Sequence, residues 1–223
     1  MDQKVQQAIK ASLASFSRVN EFPVVDFETH VLRIFDSSAD FVDKLSLLDL
    51  LFDESPQLEA LREVYFDLLL INFFSEDVKK LEEDYLESAE WEAIEEETID
   101  RGTELLNVLL YLRECADEGL EPDLEDYLKE FLLVDEDEFQ DEHRIYEDVI
   151  ANQILVESSF EEIGRIAGQL DESSEIKDLF YPLMSFFHEQ NPGQLMEKYI
   201  SYSTEPEFEV PVYALLVAYN QSQ

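Results

Sequence analysis

Basic residues are scarce in this chain: fifteen Lys and Arg stand against fifty-four Asp and Glu, a formal charge of −39 over 223 residues. Such a field repels duplex nucleic acid and anionic lipid and draws in cationic surfaces. Direct nucleic-acid binding and membrane attachment are therefore not expected, and a basic protein surface is the expected partner. Glycine (5) and proline (7) are too few for the many tight turns of an all-β fold. The lone Cys115 excludes an internal disulfide and fits a reducing compartment. The N-terminus carries no unbroken apolar stretch of the secretory kind. The greasiest runs, Leu68 to Phe74, Leu105 to Leu112 and Val210 to Tyr219, fall short of the roughly 18–20 apolar residues of a membrane helix. A cytoplasmic location is the expectation.

Apolar residues are plentiful. Hydrophobic side chains make up 45% of the chain and aromatic ones 12%, enough for a core despite a charge that would otherwise favour disorder. Leu, Glu and Ala favour helix, and apolar residues recur at spacings of three and four. The reading is all-α: a multi-helix bundle, or an irregular array of α-α hairpins, of roughly 10–12 helices. We expect a single helical domain over 1–223, with sub-bundles 1–118 and 119–223 as its natural division.

Val5, Ile9, Leu13 and Phe16 mark a first helix. Ser37 and Ser38 are read as caps for a helix running to about Phe52. Ser55 and Pro56 read as the N-cap and first residue of a buried central helix carrying Leu58, Leu61, Tyr65, Leu69 and Phe73. Ser75 is read as a further cap. A second apolar helix is expected from about Ile99 to Ala116, ended by Gly119 and Pro122. Helices are expected over 124–134 and 139–156, and Ser158/Glu161 or Ser159/Glu162 has capping-box spacing for the next. Pro182 is expected to kink or split a helix ending near Gln190, and the last helix is expected from Pro211 to Asn220. An 81-residue shift lays Leu47–Phe52 over Leu128–Leu133 and Val64–Leu69 over Ile145–Ile150, a faint echo of a duplicated hairpin.

No motif for catalysis or cofactors stands out. His30, His143 and His188 lack the Glu-x-x-His spacing of helical di-iron sites. The Asp135–Glu142 run fails as a calcium loop, with Phe139 and Gln140 where an oxygen ligand and Gly belong. There is no nucleophile elbow and no phosphate-cradling glycine loop. We assign no catalytic residue, no metal and no cofactor.

The acid runs remain. Glu82 to Asp100 holds ten acids and no base, and Asp117 to Asp148 holds fifteen against Lys129 and Arg144. From these tracts the nominated docking residues are Glu90, Trp91, Glu92, Glu95, Glu96 and Glu97, with Asp135, Glu136, Asp137, Glu138, Phe139, Asp141 and Glu142. Trp91 and Phe139 serve as exposed aromatic anchors. The leading expectation is a non-enzymatic binding protein of adaptor, dedicated-chaperone or inhibitor/immunity type. A nucleic-acid mimic is the first alternative: as one continuous helix the first tract would span about 28 Å, with acids at nearly phosphate spacing. An enzyme or ligand-binding protein with its site inside the bundle is the second, and it predicts a deep pocket with a carboxylate of raised pKa.

Overall fold

The structure is a computed structural model, and it describes residues 1–76, 85, 87–131 and 145–221. Among these residues there are twelve α-helices and no strand. The chain is an all-α, multi-helix protein.

Helix α1 (Gln3–Asn20) follows its apolar stripe: Val5, Ala8, Ile9, Ser12, Leu13 and Phe16 are buried, and Asp2 caps it by accepting from the Lys4 and Val5 amides. It is followed by α2 (Val25–Asp36), α3 (Phe41–Asp53), α4 (Arg62–Glu76), α5 (Ala89–Thr98), α6 (Leu105–Glu118), α7 (Leu124–Asp126) and α8 (Glu147–Ala151). The last four are α9 (Phe160–Ala167), α10 (Lys177–His188), α11 (Met196–Tyr202) and α12 (Pro206–Gln221). Two helices are apolar nearly all round and form the centre, as that composition requires. In α4 the burial runs almost unbroken from Val64 to Phe74, and in α12 from Glu209 to Leu216. The most extensive helix pairing joins α1 to α12, bringing the two ends of the chain side by side, and α6 and α10 pack against α12 as well. Toward the C-terminus, Tyr199 stacks between Tyr181 (centroids 4.6 Å apart) and Tyr213 (4.1 Å). All three hydroxyls donate to backbone carbonyls, of Tyr199, Glu209 and Glu189. Polar tips are thereby satisfied inside an apolar stack.

Several boundaries differ from the sequence reading, each for a local reason. Asp40, not Ser37 or Ser38, caps α3 by accepting from the Asp43 amide at 2.8 Å. Pro56 opens a 3-10 helix, Pro56–Leu61, and Ser55 gives it no side-chain cap; α4 proper begins at Arg62. Ser75 lies inside α4, its hydroxyl donating to the Ile71 carbonyl. Residues 99–104 form a loop, so α6 starts at Leu105 and Ile99 is solvent-exposed. Of the helix expected over 124–134, the described part is a single α-turn followed by a π-turn, Tyr127–Phe131. Of 139–156, the described part holds α8 and a 3-10 turn, Gln153–Glu157, with Ile154 exposed. Ser159, of the two capping pairs, is the one used. Pro182 does not split its helix: it is buried within α10 beside Phe180, Tyr181, Leu183 and Met184, whose packing retains a turn that lacks one hydrogen bond. The final helix begins at Pro206, five residues early, with Pro211 in its interior. In the 81-residue echo the second pair is unlike: Val64–Leu69 lies in the fifteen-residue α4, Ile145–Ile150 in a turn and the five-residue α8, while Leu132 and Leu133 of the first pair lie outside the described residues.

Candidate acidic docking face

Helix α5 is acidic because nothing in it needs to be otherwise. Ile94 is its one buried residue. Ser88 caps it, accepting from the Trp91 amide. Glu90, Glu92, Glu95, Glu96 and Glu97 are all exposed, and no ion pair among the described residues involves any of them. Several cations of the described structure are engaged by other acids. Arg62 binds Asp49, Asp53 and Glu59; Arg101 binds Asp49 and Glu63; Arg18, Arg165 and Lys177 bind Glu197, Glu162 and Glu172. Glu92 and Glu96, four residues apart, share one face of α5, where like charges repel by about 0.2–0.5 kcal/mol per pair. Glu95, Glu96 and Glu97 also sit in its last turn, where no base offsets the helix dipole.

The structure therefore brings together the nominated residues from Glu90 to Glu97, with one correction. Trp91 is not a free exposed anchor: it is partly buried against the core, its ring 5.5 Å from Phe74 and 6.3 Å from Tyr85. Asp135, Glu136, Asp137, Glu138, Phe139, Asp141 and Glu142 lie outside the described residues. The first acid tract is also not one rod, because the chain turns at Glu87–Ser88 before α5 and leaves helix after Thr98.

Two depressions flank α5. On one side, α3 and α4 form with it an apolar groove of about 440 Å³. On the other lies an acid-lined cleft of about 550 Å³, between α4, α5, the 99–104 loop and the start of α10. Glu63, Asp67, Glu95, Glu104, Glu175 and Asp178 contribute carboxylates to this cleft, and Arg101 is the one base lining it among the described residues. Arg101 is not mobile charge. Its guanidinium lies 5.1 Å from the Phe66 ring, reaches both Asp49 oxygens at 3.1 Å and holds Glu63 at 3.0 Å. Glu104 accepts from Tyr146 (2.7 Å) and Asn107 (2.9 Å). Glu95, Glu175 and Asp178 have no ion-pair partner among the described residues.

Asp67 is the unusual group. It is fully buried in α4, and burial pushes its carboxyl up to about 8, against the pull of its bonds to Thr103 and with a further push from Glu63 and Glu104. Its oxygens accept from the Thr103 amide at 3.1 Å and the Thr103 hydroxyl at 2.6 Å, and that hydroxyl accepts from the Leu105 amide. Asp67 thus ties the start of α6 to the middle of α4. Gly102 makes the approach feasible: its φ is +92°, and a Cβ there would stand 2.8 Å from Asp67 Oδ1. The sequence reading missed this node by extending a helix across 99–104. The available signals were an acid interrupting an otherwise apolar run and Gly102-Thr103 ahead of it, a helix-start pattern.

His143 lies outside the described residues, and the other two histidines bond backbone carbonyls. His30 Nδ1 is 2.6 Å from the Asp26 carbonyl, and His188 Nδ1 is 2.9 Å from that of Val156 with its ring edge-on to Phe160. Cys115 is buried and free, its thiol pushed up by burial. Among the described residues no three His, Cys, Asp or Glu side chains are grouped to hold a metal, and no helix is long and apolar enough to cross a membrane. No family model, no curated protein and no solved structure matches the chain. Function must therefore be read from the charge and shape of the site itself.

Proposed function

We propose that this chain is a non-enzymatic docking protein, of adaptor, chaperone or inhibitor type, whose α5 face receives a basic surface of a partner protein in the cytoplasm. The observation that carries the reading is the set of exposed glutamates on α5, from Glu90 to Glu97, that have no ion-pair partner among the described residues, while Arg62 and Arg101 are engaged by other acids. A cationic partner relieves like-charge repulsion that the free helix sustains. Complementary charge also speeds encounter and rejects anionic competitors. Trp91, the only tryptophan, is a built-in reporter at the site. Its fluorescence should respond to a lysine-only peptide at low ionic strength, and the response should collapse at about 0.3 M salt. Glu92→Lys/Glu95→Lys/Glu96→Lys should weaken that binding at least tenfold, whereas reversing three exposed acids far from α5 should not. Equal loss from both sets of reversals would reduce the interaction to bulk charge and end the reading.

The acid-lined cleft favours a second reading, a pocket for a small organic cation, because it joins a roomy depression to a carboxyl of raised pKa. Spermidine should then raise the melting temperature of the wild type and not of Glu175→Gln/Asp178→Asn.

A further inference from the structure

Charge alone would accept any cationic segment. The groove on the opposite flank of α5 is more selective. Phe41, Val42, Leu69, Ala93 and Ile94 line it, and Asp40, Glu76 and Glu90 stand at its edges. Along α5, Glu90, Ala93, Ile94 and Glu97 recur at the i, i+3, i+4, i+7 positions of one helical face. Acid, apolar and acid therefore follow one another along a single line. We propose, building on the docking reading above, that this groove seats an apolar side chain of a basic amphipathic helix supplied by the partner. Lysines or arginines flanking that side chain would meet the carboxylates at the edges.

Two competing occupants fit less well. An anionic amphiphile would face Asp40 and Glu90, and the one cation lining the groove among the described residues is already engaged: the buried Lys44 ammonium donates to the Phe35 carbonyl at 3.1 Å and lies 3.6 Å from Glu76. A second copy of the chain brings another charge of −39, which opposes close approach. A helix with apolar residues at three- and four-residue spacing and bases on its flanks satisfies both the groove and its edges.

Three peptides of equal net charge test this at near-physiological salt, with Trp91 fluorescence and calorimetry as readouts. One is a lysine-leucine helix with the leucines in a stripe, the second is its scramble without the stripe, and the third is lysine-only. The striped peptide should bind about tenfold or more tighter than the scramble, the gain from burying one large apolar side chain. Ala93→Phe, which fills the groove, should erase that preference. Ala39→Leu, from the other wall, serves as the second filling variant if Ala93→Phe melts early. Glu92→Lys/Glu96→Lys should weaken all three peptides alike. Equal binding of striped and scrambled peptides would overturn the groove assignment and leave charge docking standing. Absence of binding by all three at low salt would overturn both. A dimer of the free chain that Ala93→Phe disperses would give the groove to a second copy and overturn the partner-helix assignment.

Discussion

Asp67 shows how one residue couples packing to pH. Its carboxyl is pushed up to about 8 by burial, from an ordinary value near 4 in an unfolded chain. A folded-state pKa raised in this way means the native protein binds a proton that the unfolded chain releases. Its contribution is complete below about pH 4 and is lost as pH rises through about 8. Unfolding free energy, measured by urea titration, should therefore fall between pH 5 and 8, with this one group contributing up to about 1.4 kcal/mol per pH unit. Asp67→Asn, which retains an acceptor for the Thr103 amide, should flatten that slope; parallel curves for the two proteins would refute the role given to Asp67. A smaller slope should persist, because burial also raises Glu209, whose carboxylate accepts from Ser203 and Thr204 ahead of α12. A second residue-scale prediction concerns Gly164. A Cβ there would stand 2.7 Å from the Tyr202 carbonyl, so α9 and α11 touch at that point. Gly164→Ala should destabilise by about 1–3 kcal/mol despite a better helix propensity, and a neutral or stabilising effect in a thermal melt would show that the contact yields freely.

At the scale of elements, α1, α4 and α12 follow from their apolar pattern, because a helix buried on one stripe or all round records its surroundings in its own residues. The 99–104 loop does not. Ile99 continues the apolar spacing of the helix beyond it, yet Gly102 and the Asp67–Thr103 bonds are what start α6 at Leu105. That outcome depends on a residue some thirty-six positions upstream, which no local window contains. Trp91 is a similar case: an acidic neighbourhood reads as surface, and only the positions of Phe74 and Tyr85 turn the ring inward. Helix α5 is held by that ring and Ile94, with little else buried. Ile94→Ala should accordingly remove about 2–4 kcal/mol locally. Hydrogen exchange should report faster exchange across 89–98 while α1 and α12 remain protected. Uniform loss of protection would mean that α5 is integral to the cooperative core.

For the whole molecule, net charge opposes compactness: carboxylates crowded on a folded surface repel one another more than in an expanded chain. Raising salt at pH 7 should therefore raise the melting temperature; an indifferent curve would mean that the surplus acids are too far apart to interact. Acidification below about pH 4 should in turn cost stability, since Glu59 and Glu162 are held low by hydrogen bonds to Arg62 and Arg165 and lose those pairs on protonation. Composition, helical spacing and net charge were enough to establish an all-α chain with an ample core and a large surplus of negative charge, because those properties are sums over residues and do not depend on which residues meet. Which carboxylates stay unpaired on α5, which one is buried at Asp67, and that an apolar groove lies beside the acid face were decided only by the tertiary structure. Each depends on the distance between helices far apart in the chain, a quantity that no sum over residues contains.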